Sequence, residues 1–324
     1  MIKHLQNLKY NNEDYYWLQG IPEAITKQAI KDLDKAYKAF FKRDNKGFPK
    51  FKSKKYSKLS FYQRTDKLYM IDDKHIKITG IRTPVKVKEQ IWVGLKNPRV
   101  TYDGKFWHLS CSYETQEMEK KIEGKTIGVD LGIKSLAITS DGELYKNINK
   151  TISVKKLEKR KKHLQRKLSK KYEINKQGNK FVKTHNIIKL EKEIKLIDRK
   201  LKNIRDTYIH TITYRLASSA KTICIEDLNV SGMLKNKHLS KAIQQQEFRK
   251  FRIYLEYKCQ YYGTKLVIAD RFYPSSKTTN CCGYKFKFLS LSQRQITCPI
   301  CGKIIDRDLN AALNLRDYAL AQAS

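Results

Sequence analysis

Between Ile21 and Arg43, apolar side chains recur at Ile25, Ala29, Leu33, Ala36, Tyr37 and Phe40. This is the three-and-four spacing of one helix face, and Pro22 suits the first turn. From about residue 46 to 118 the period changes to two. The stretches "GFPKFKSKKYSKLSFYQR" (47–64), "KLYMIDDKHIKITGI" (67–81) and "RVTYDGKFWHLSCSYE" (99–114) alternate apolar with polar around Asp-Asp and Asp-Gly turns. That pattern predicts a small β-barrel, or a sheet with one wet face. Gly124 marks a boundary, and a second architecture begins at Lys125.

Three short strands open it, "TIGVDLG" (126–132), "SLAITSD" (135–141) and "ELYKNI" (143–148), joined by tight turns. A long basic helical stretch, 152–218, follows and is interrupted by the polar loop "KKYEINKQGNK" (170–180). Next come a buried strand "KTICIEDL" (221–228), a helix through Gln246–Tyr262, a strand "TKLVIAD" (264–270), and a final helix from near Asp308. Three antiparallel strands followed by helix, strand, helix, strand and helix is the element order of an RNase H-type fold, so the class is α+β. Three regions result: a helical segment 1–43, a β-rich domain 44–118, and a domain 119–324 with a basic helical hairpin at 151–218 and an insertion at 274–304.

Three acids sit where a bare core would exclude them. Asp130 interrupts the first strand between Val129 and Leu131, Glu226 ends the run Thr222-Ile223-Cys224-Ile225, and Asp308 opens the last helix. Charge at such positions is costly to bury unless paired or metal-bound. In an RNase H-type sheet the first and fourth strands are neighbours and the last helix packs across them, so the three carboxylates converge. Hard oxygen ligands of this kind suit Mg²⁺. Two such ions activate a water and stabilise the leaving oxygen of a phosphodiester. The bland alternative is that Asp306 or Asp308 caps the helix and Glu226-Asp227 is an ordinary strand-end pair.

Charge then names the partner. The 324 residues carry 68 Lys+Arg against 32 Asp+Glu, a formal net charge of +36, which calls for a polyanion. No apolar run is long enough to span a membrane, and residues 1–14 lack the apolar core of a signal peptide, so a cytoplasmic location is expected. Residues 151–205 hold 20 Lys/Arg against 5 Asp/Glu, on helices whose seam is Leu157, Leu164 and Leu168 facing Ile187, Leu190, Ile194, Ile197 and Leu201. A basic exterior this one-sided suits phosphate contacts along a duplex. Phe48, Phe51, Tyr56, Phe61 and Tyr62, interleaved with Lys and Arg, suit stacking on unpaired bases, unless they face their own sheet's core. His210 and Cys224 read as packing residues. Of seven cysteines, an odd number, four cluster at 281–301, where metal binding is favoured over a disulfide framework.

The blocks "GVDLGIKSLAITSDG", "IEDLNVSGMLKN", "DRFYPSSKT", "CPICG" and "DRDLNAALNL" together resemble the signature of TnpB/OrfB-type transposon nucleases, compact relatives of the CRISPR type V effectors. Upstream, "KQAIKDLDKAYKAFFKR" and "GFPKFKSK" resemble the same family's helical recognition-lobe and wedge regions. The resemblance runs from about residue 16 to the end, which implies an N-terminally shortened chain. It implies a RuvC nuclease domain with an inserted zinc ribbon. Asp130, Glu226 and Asp308 fall on its metal-binding carboxylates, and Asp306 on the flanking position. It also implies a guide RNA derived from the transposon end and a double-stranded DNA target. In the ribbon, the family's first pair is Cys-X-X-Cys, whereas "TTNCCG" puts Thr279 in the first place and Cys282 in the second. Cys282, Cys298 and Cys301 are then the three clear Zn²⁺ ligands. Cys281 is a substitute fourth if the turn shifts, and an emptied ribbon held by packing is the alternative.

The leading expectation is therefore an RNA-guided, Mg²⁺-dependent DNA endonuclease of a mobile element. A nuclease-impaired, RNA-guided DNA-binding protein acting as a repressor is second, and an unguided junction-resolving nuclease third.

Overall fold

Where the sequence changes its period, the chain changes its architecture. The computed structural model describes residues 2–42, 47–53, 57, 59–89, 94–114, 123–290 and 293–322, in two units, Met1–Gln116 and Glu117–Ser324.

In the first unit, α1 (Ile2–Asn11) leads into a 3-10 turn at Glu13–Gly20, whose entry is capped by Asn12 Oδ1 accepting from the Asp14 N–H at 3.0 Å. Helix α2 (Glu23–Phe41) starts one residue after Pro22. Six strands follow: β1 (Ser60–Tyr62), β2 (Tyr69–Asp72), β3 (His75–Lys77), β4 (Val85–Lys86), β5 (Lys96–Tyr102) and β6 (Trp107–Ser112). The small barrel expected from the alternation does not form among the described residues. Two separate three-stranded antiparallel sheets, β1-β5-β6 and β2-β3-β4, share a core of Leu68, Ile76, Ile78 and Val100. Alternation decides which side chains face inward, but closure needs long strands in staggered register. Strands of four, three and two residues in β2–β4 are too short for it. Phe61 joins that core, Phe48 meets Tyr37 and Phe40 edge-on at 5.7 and 5.4 Å, and Phe51 is fully exposed. Tyr56 lies outside the described residues.

The second unit is built on β7 (Lys125–Leu131), β8 (Ser135–Thr139) and β9 (Leu144–Lys146). The helical hairpin follows, α3 (Ile152–Ile174) and α4 (His185–Ser219), with the short pair β10 (Lys176–Gln177) and β11 (Lys180–Phe181) at its tip. Val154, Leu164, Leu190, Ile194, Ile197 and Leu201 form its seam, which leaves the lysines outside. Strand β12 (Ala220–Glu226) comes next, then α5 (Val230–Met233) and α6 (Ser240–Gln246). Glu247, at φ +53°, breaks α6 from α7 (Phe248–Tyr262). The chain ends with β13 (Lys265–Ala269), the pair β14 (Gln295–Thr297) and β15 (Ile304–Asp306), and α8 (Arg307–Ala321).

The main sheet has the order β13-β12-β7-β8-β9, with β7 parallel to β12 and β12 to β13, so the first and fourth strands of this sheet in chain order are neighbours. Strand alternation sorts side chains to two faces. Ile127, Val129, Ile223 and Ile225 face α4 and α7, packing with Ile212, Leu216, Phe251 and Leu255. Each such burial contributes about 1.5–3 kcal/mol. Cys224, on the other face, packs under Leu315 and Ala319 of α8.

Gly128, which pairs with Cys224 in register, lies directly beneath the α8 backbone. A Cβ there would stand 1.9 Å from the Ala312 carbonyl oxygen and 2.4 Å from the Arg316 nitrogen. Only glycine lets helix and strand approach this closely. Among the described residues no helix is long and apolar enough to cross a membrane.

Because the atoms that a methyl group would meet are backbone, Gly128→Ala is expected to push α8 off the sheet and cost about 1–3 kcal/mol or more. Urea denaturation checks this, and an unchanged midpoint would contradict the close approach.

Candidate active site and cysteine cluster

Two residues beyond Gly128 on the same face is Asp130, and two beyond Cys224 is Glu226. The register Ile225↔Val129 therefore sets Asp130 and Glu226 side by side, about 5 Å apart by strand spacing. Asp308 is one helical turn before Ala312, the residue that sits on Gly128. One turn of helix and two residues of strand are both about 6 Å, so the Gly128 contact delivers Asp308 toward the Asp130 end of the sheet.

The electrostatics agree with this placement. Burial, and then the charges of Glu226 and Asp308, push the Asp130 carboxyl well above its ordinary range, against the pull of Arg307 and Arg294. Glu226 is also raised by burial, and Ser275, which donates its hydroxyl proton to Glu226 Oε1, opposes the shift. Asp308 takes Arg294 Nη1 at 3.2 Å. Three half-buried acids that crowd one another make an electron-rich oxygen site, and its donor chemistry fits a divalent cation such as Mg²⁺.

Their neighbours in sequence have ordinary duties. Asp306 is the cap of α8, its Oδ1 accepting from the N–H groups of Asp308 and Leu309 at 3.0 Å each. Asp227 is held by Arg271 and Arg252, which keep its carboxyl below the usual range. His210 stacks on Tyr254 at 4.0 Å, and Cys224 is fully buried.

Beside Asp308 a cleft of about 610 Å³ opens between β8, β9 and the start of α8. Lys134, Lys146 and Lys150 stand on its rim, while Ile138, Leu144 and Leu309 supply apolar surface. The lysines make this cleft favourable to an anionic chain.

The second cluster lies in the segment between β13 and α8. The sulfurs of Cys281, Cys282, Cys298 and Cys301 all lie within 4.8 Å of one another. Among the described residues this is the one group of three or more His, Cys, Asp or Glu drawn in so tightly. The carboxylate trio is looser, with Glu226 turned to Ser275 and Asp308 to Arg294. Backbone N–H groups of Cys301 and Ile300 lower the Cys298 thiol to about 6, while Cys282, crowded by Cys301, is pushed up to about 12. The four soft donors fit Zn²⁺. This segment is fastened to α8 by two buried asparagines. Asn310 and Asn314 Nδ2 donate to the Thr278 carbonyl at 2.7 and 2.6 Å, and Asn310 Oδ1 accepts from the Asn280 N–H at 2.8 Å.

Two family models match parts of this chain. Residues 108–237 match the OrfB/IS605 family described as "Probable transposase", and residues 248–315 match the "Cas12f1-like, TNB domain". A Streptomyces pristinaespiralis protein named "Putative RNA-guided DNA endonuclease" is 29% identical over 318 residues, covering 96% of this chain and 75% of the relative. Escherichia coli K12 "Putative RNA-guided DNA endonuclease InsQ" is 28% identical over 324 residues, covering 94% and 76%. The fold resembles that of Cas12f1 in its complex with sgRNA and target DNA, at a TM-score of 0.57 and 14% identity, over 97% of this chain and 78% of that one. The chain resembles TnpB-type proteins over most of its length.

Sequence reasoning missed several residues that surround the candidate site. Ser275 lies in the block "DRFYPSSKT", but only the fold brings its hydroxyl to Glu226. Lys134 lies in the block "GVDLGIKSLAITSDG" without standing out from it, and Arg294, Lys146 and Lys150 lie outside the blocks that carry the resemblance. Gly128 had a signal, a glycine inside an apolar strand, which marks close backbone approach.

The raised Asp130 carboxyl has a pH consequence. The fold holds that proton more tightly than the unfolded chain does. Its stabilisation is therefore present below the ordinary value of 3.8 and is lost as pH rises through the raised value. In metal-free buffer, Asp130→Asn is expected to raise the urea midpoint at pH 8, and the advantage should shrink toward pH 4. Equal midpoints at both pH values would contradict the crowding.

Proposed function

We propose that this chain is an RNA-guided, Mg²⁺-dependent DNA endonuclease, with an RNase H-like RuvC domain whose metal-holding carboxylates are Asp130, Glu226 and Asp308. The observation that carries the reading is the strand register that sets Asp130 beside Glu226, with Asp308 brought toward them by the contact of α8 on Gly128 and lining a cleft that also holds lysines. The strand order and the names of the relatives support it.

Bound divalent ions supply an activated water and neutralise the leaving oxygen of a phosphodiester. The rest falls to the chain's own side chains. Asp130 and Glu226, anchored on neighbouring strands, hold their carboxylates against a rigid sheet, so neither has to reorganise when substrate arrives. Glu226 is oriented by Ser275. Arg294, now paired with Asp308, is positioned to release that carboxylate to a cation and turn to a phosphate. Lys134, Lys146 and Lys150 hold the backbone of the strand that enters the cleft. The one-sided charge of α3 and α4 meets the phosphates of the guide–target duplex and reads its shape rather than its sequence. The β14–β15 pair and the four cysteines form a Zn²⁺ ribbon that braces α8 through Asn310 and Asn314.

Purified with RNA transcribed from its flanking element, the chain is expected to cut DNA matching that RNA. Asp130→Ala should lower cleavage by about 10³-fold or more while guide-directed binding persists. Undiminished cutting by this variant would remove the catalytic assignment. Binding without cutting by the unaltered chain would favour the repressor-like alternative.

Replacing Lys134, Lys146 and Lys150 together by Ala is expected to slow cleavage. It should also lower the salt dependence of single-strand affinity by about 2 units of log–log slope. An unaltered slope would place the strand elsewhere.

A further inference from the structure

The ribbon of this chain departs from a Cys-X-X-Cys pair on each side, and its backbone shows where the departure lies. Two turns there are built alike. The Cys298 N–H donates to the Lys303 carbonyl at 2.9 Å and the Gly302 N–H to the Cys298 carbonyl at 2.8 Å. In the other turn, the Thr279 N–H donates to the Tyr284 carbonyl at 2.9 Å and the Gly283 N–H to the Thr279 carbonyl at 2.9 Å. Gly302 and Gly283 close the two turns in the left-handed region, at φ +71° and +68°. Position for position, Thr279 corresponds to Cys298, and Cys282 to Cys301.

Thr279 is fully buried in its place, its Oγ1 accepting from the Tyr284 N–H at 3.0 Å and lying 3.7 Å from Cys298 Sγ. A neutral hydroxyl already engaged this way is a poor substitute for a thiolate on Zn²⁺. The missing sulfur arrives from two residues further on. Cys281 Sγ is 3.5 Å from Cys301 Sγ, and all four sulfurs fall within 4.8 Å. Four thiolates around one Zn²⁺, each about 2.3 Å away, would be separated by about 3.8 Å. The cluster is therefore close to what one ion needs.

We infer that this chain completes its ribbon metal site with the adjacent pair Cys281-Cys282 opposite Cys298 and Cys301, Cys281 replacing the ligand lost at Thr279. The inference rests on the ribbon reading above and deepens it. The substitution also moves one ligand from a buried position to an exposed one, because Thr279 is inside and Cys281 outside. The metal then keeps a solvent-facing edge.

Cobalt(II) titration of the reduced, metal-free full chain tests this without any cleavage assay, so an inactive nuclease would leave the result interpretable. Wild type is expected to bind one ion per chain with the sulfur-to-metal absorption of four thiolates. Cys281→Ser should lose about a quarter of that absorption, and Thr279→Cys/Cys281→Ser should regain it. A Cys281→Ser spectrum identical to wild type, or no cobalt uptake by wild type, would overturn the inference. If Cys281→Ser alone fails to fold by circular dichroism, the double variant decides: restored uptake supports the replacement, and absent uptake contradicts it.

Discussion

The second unit depends on one contact, the backbone of α8 resting on Gly128 of β7. Removing a single methyl group from the middle of a buried strand lets a helix drop onto the sheet, and that approach sets the distance between acids 178 positions apart in sequence. Asp130 is carried by the strand, Asp308 by the helix, and the contact lies one turn, or two strand residues, behind both. The opposite face of the sheet is filled conventionally by Ile, Leu and Phe from α4 and α7. Apolar packing holds the sheet from behind, so its acidic face can carry charges that destabilise the fold by themselves.

The cysteine cluster and the acids are coupled through the same helix. Asn310 and Asn314, one turn apart on α8, hold the Thr278 carbonyl and keep the cysteine-bearing segment in place. That segment also carries Ser275, the partner of Glu226. Buried amides with satisfied partners specify one arrangement, because a shifted segment would leave several polar groups unpaired. The cysteine cluster and the acids are thus linked mechanically: through the asparagines, the segment that carries the cysteines is fastened to the helix on which Asp308 rides.

Much of this was legible in the sequence because it rests on local rules. Short apolar runs, Ile127–Val129, Ile223–Ile225 and Leu266–Ala269, gave away β7, β12 and β13, and a charge at the end of such a run marked Asp130 and Glu226. In "DRDLN" the resemblance set Asp308 on the metal-binding position and Asp306 beside it, and the structure adds that Asp306 caps the helix while Asp308 pairs with Arg294. Features set by approach rather than by period were hidden. Alternation in residues 46–118 suggested a small barrel or a sheet with one wet face, yet register and strand length produced two small sheets. Spacing left Cys281 as a doubtful neighbour of Cys282, because the direction of a thiol depends on the turn that carries it.

The central claim is that carboxylates from positions 130, 226 and 308 share divalent ions. Crystals of the chain soaked in Mn²⁺, with anomalous diffraction recorded at the manganese edge, test it most directly. A peak bounded by these three side chains is expected, with Asp308 swung away from Arg294. Manganese peaks elsewhere and none among the three acids would contradict it.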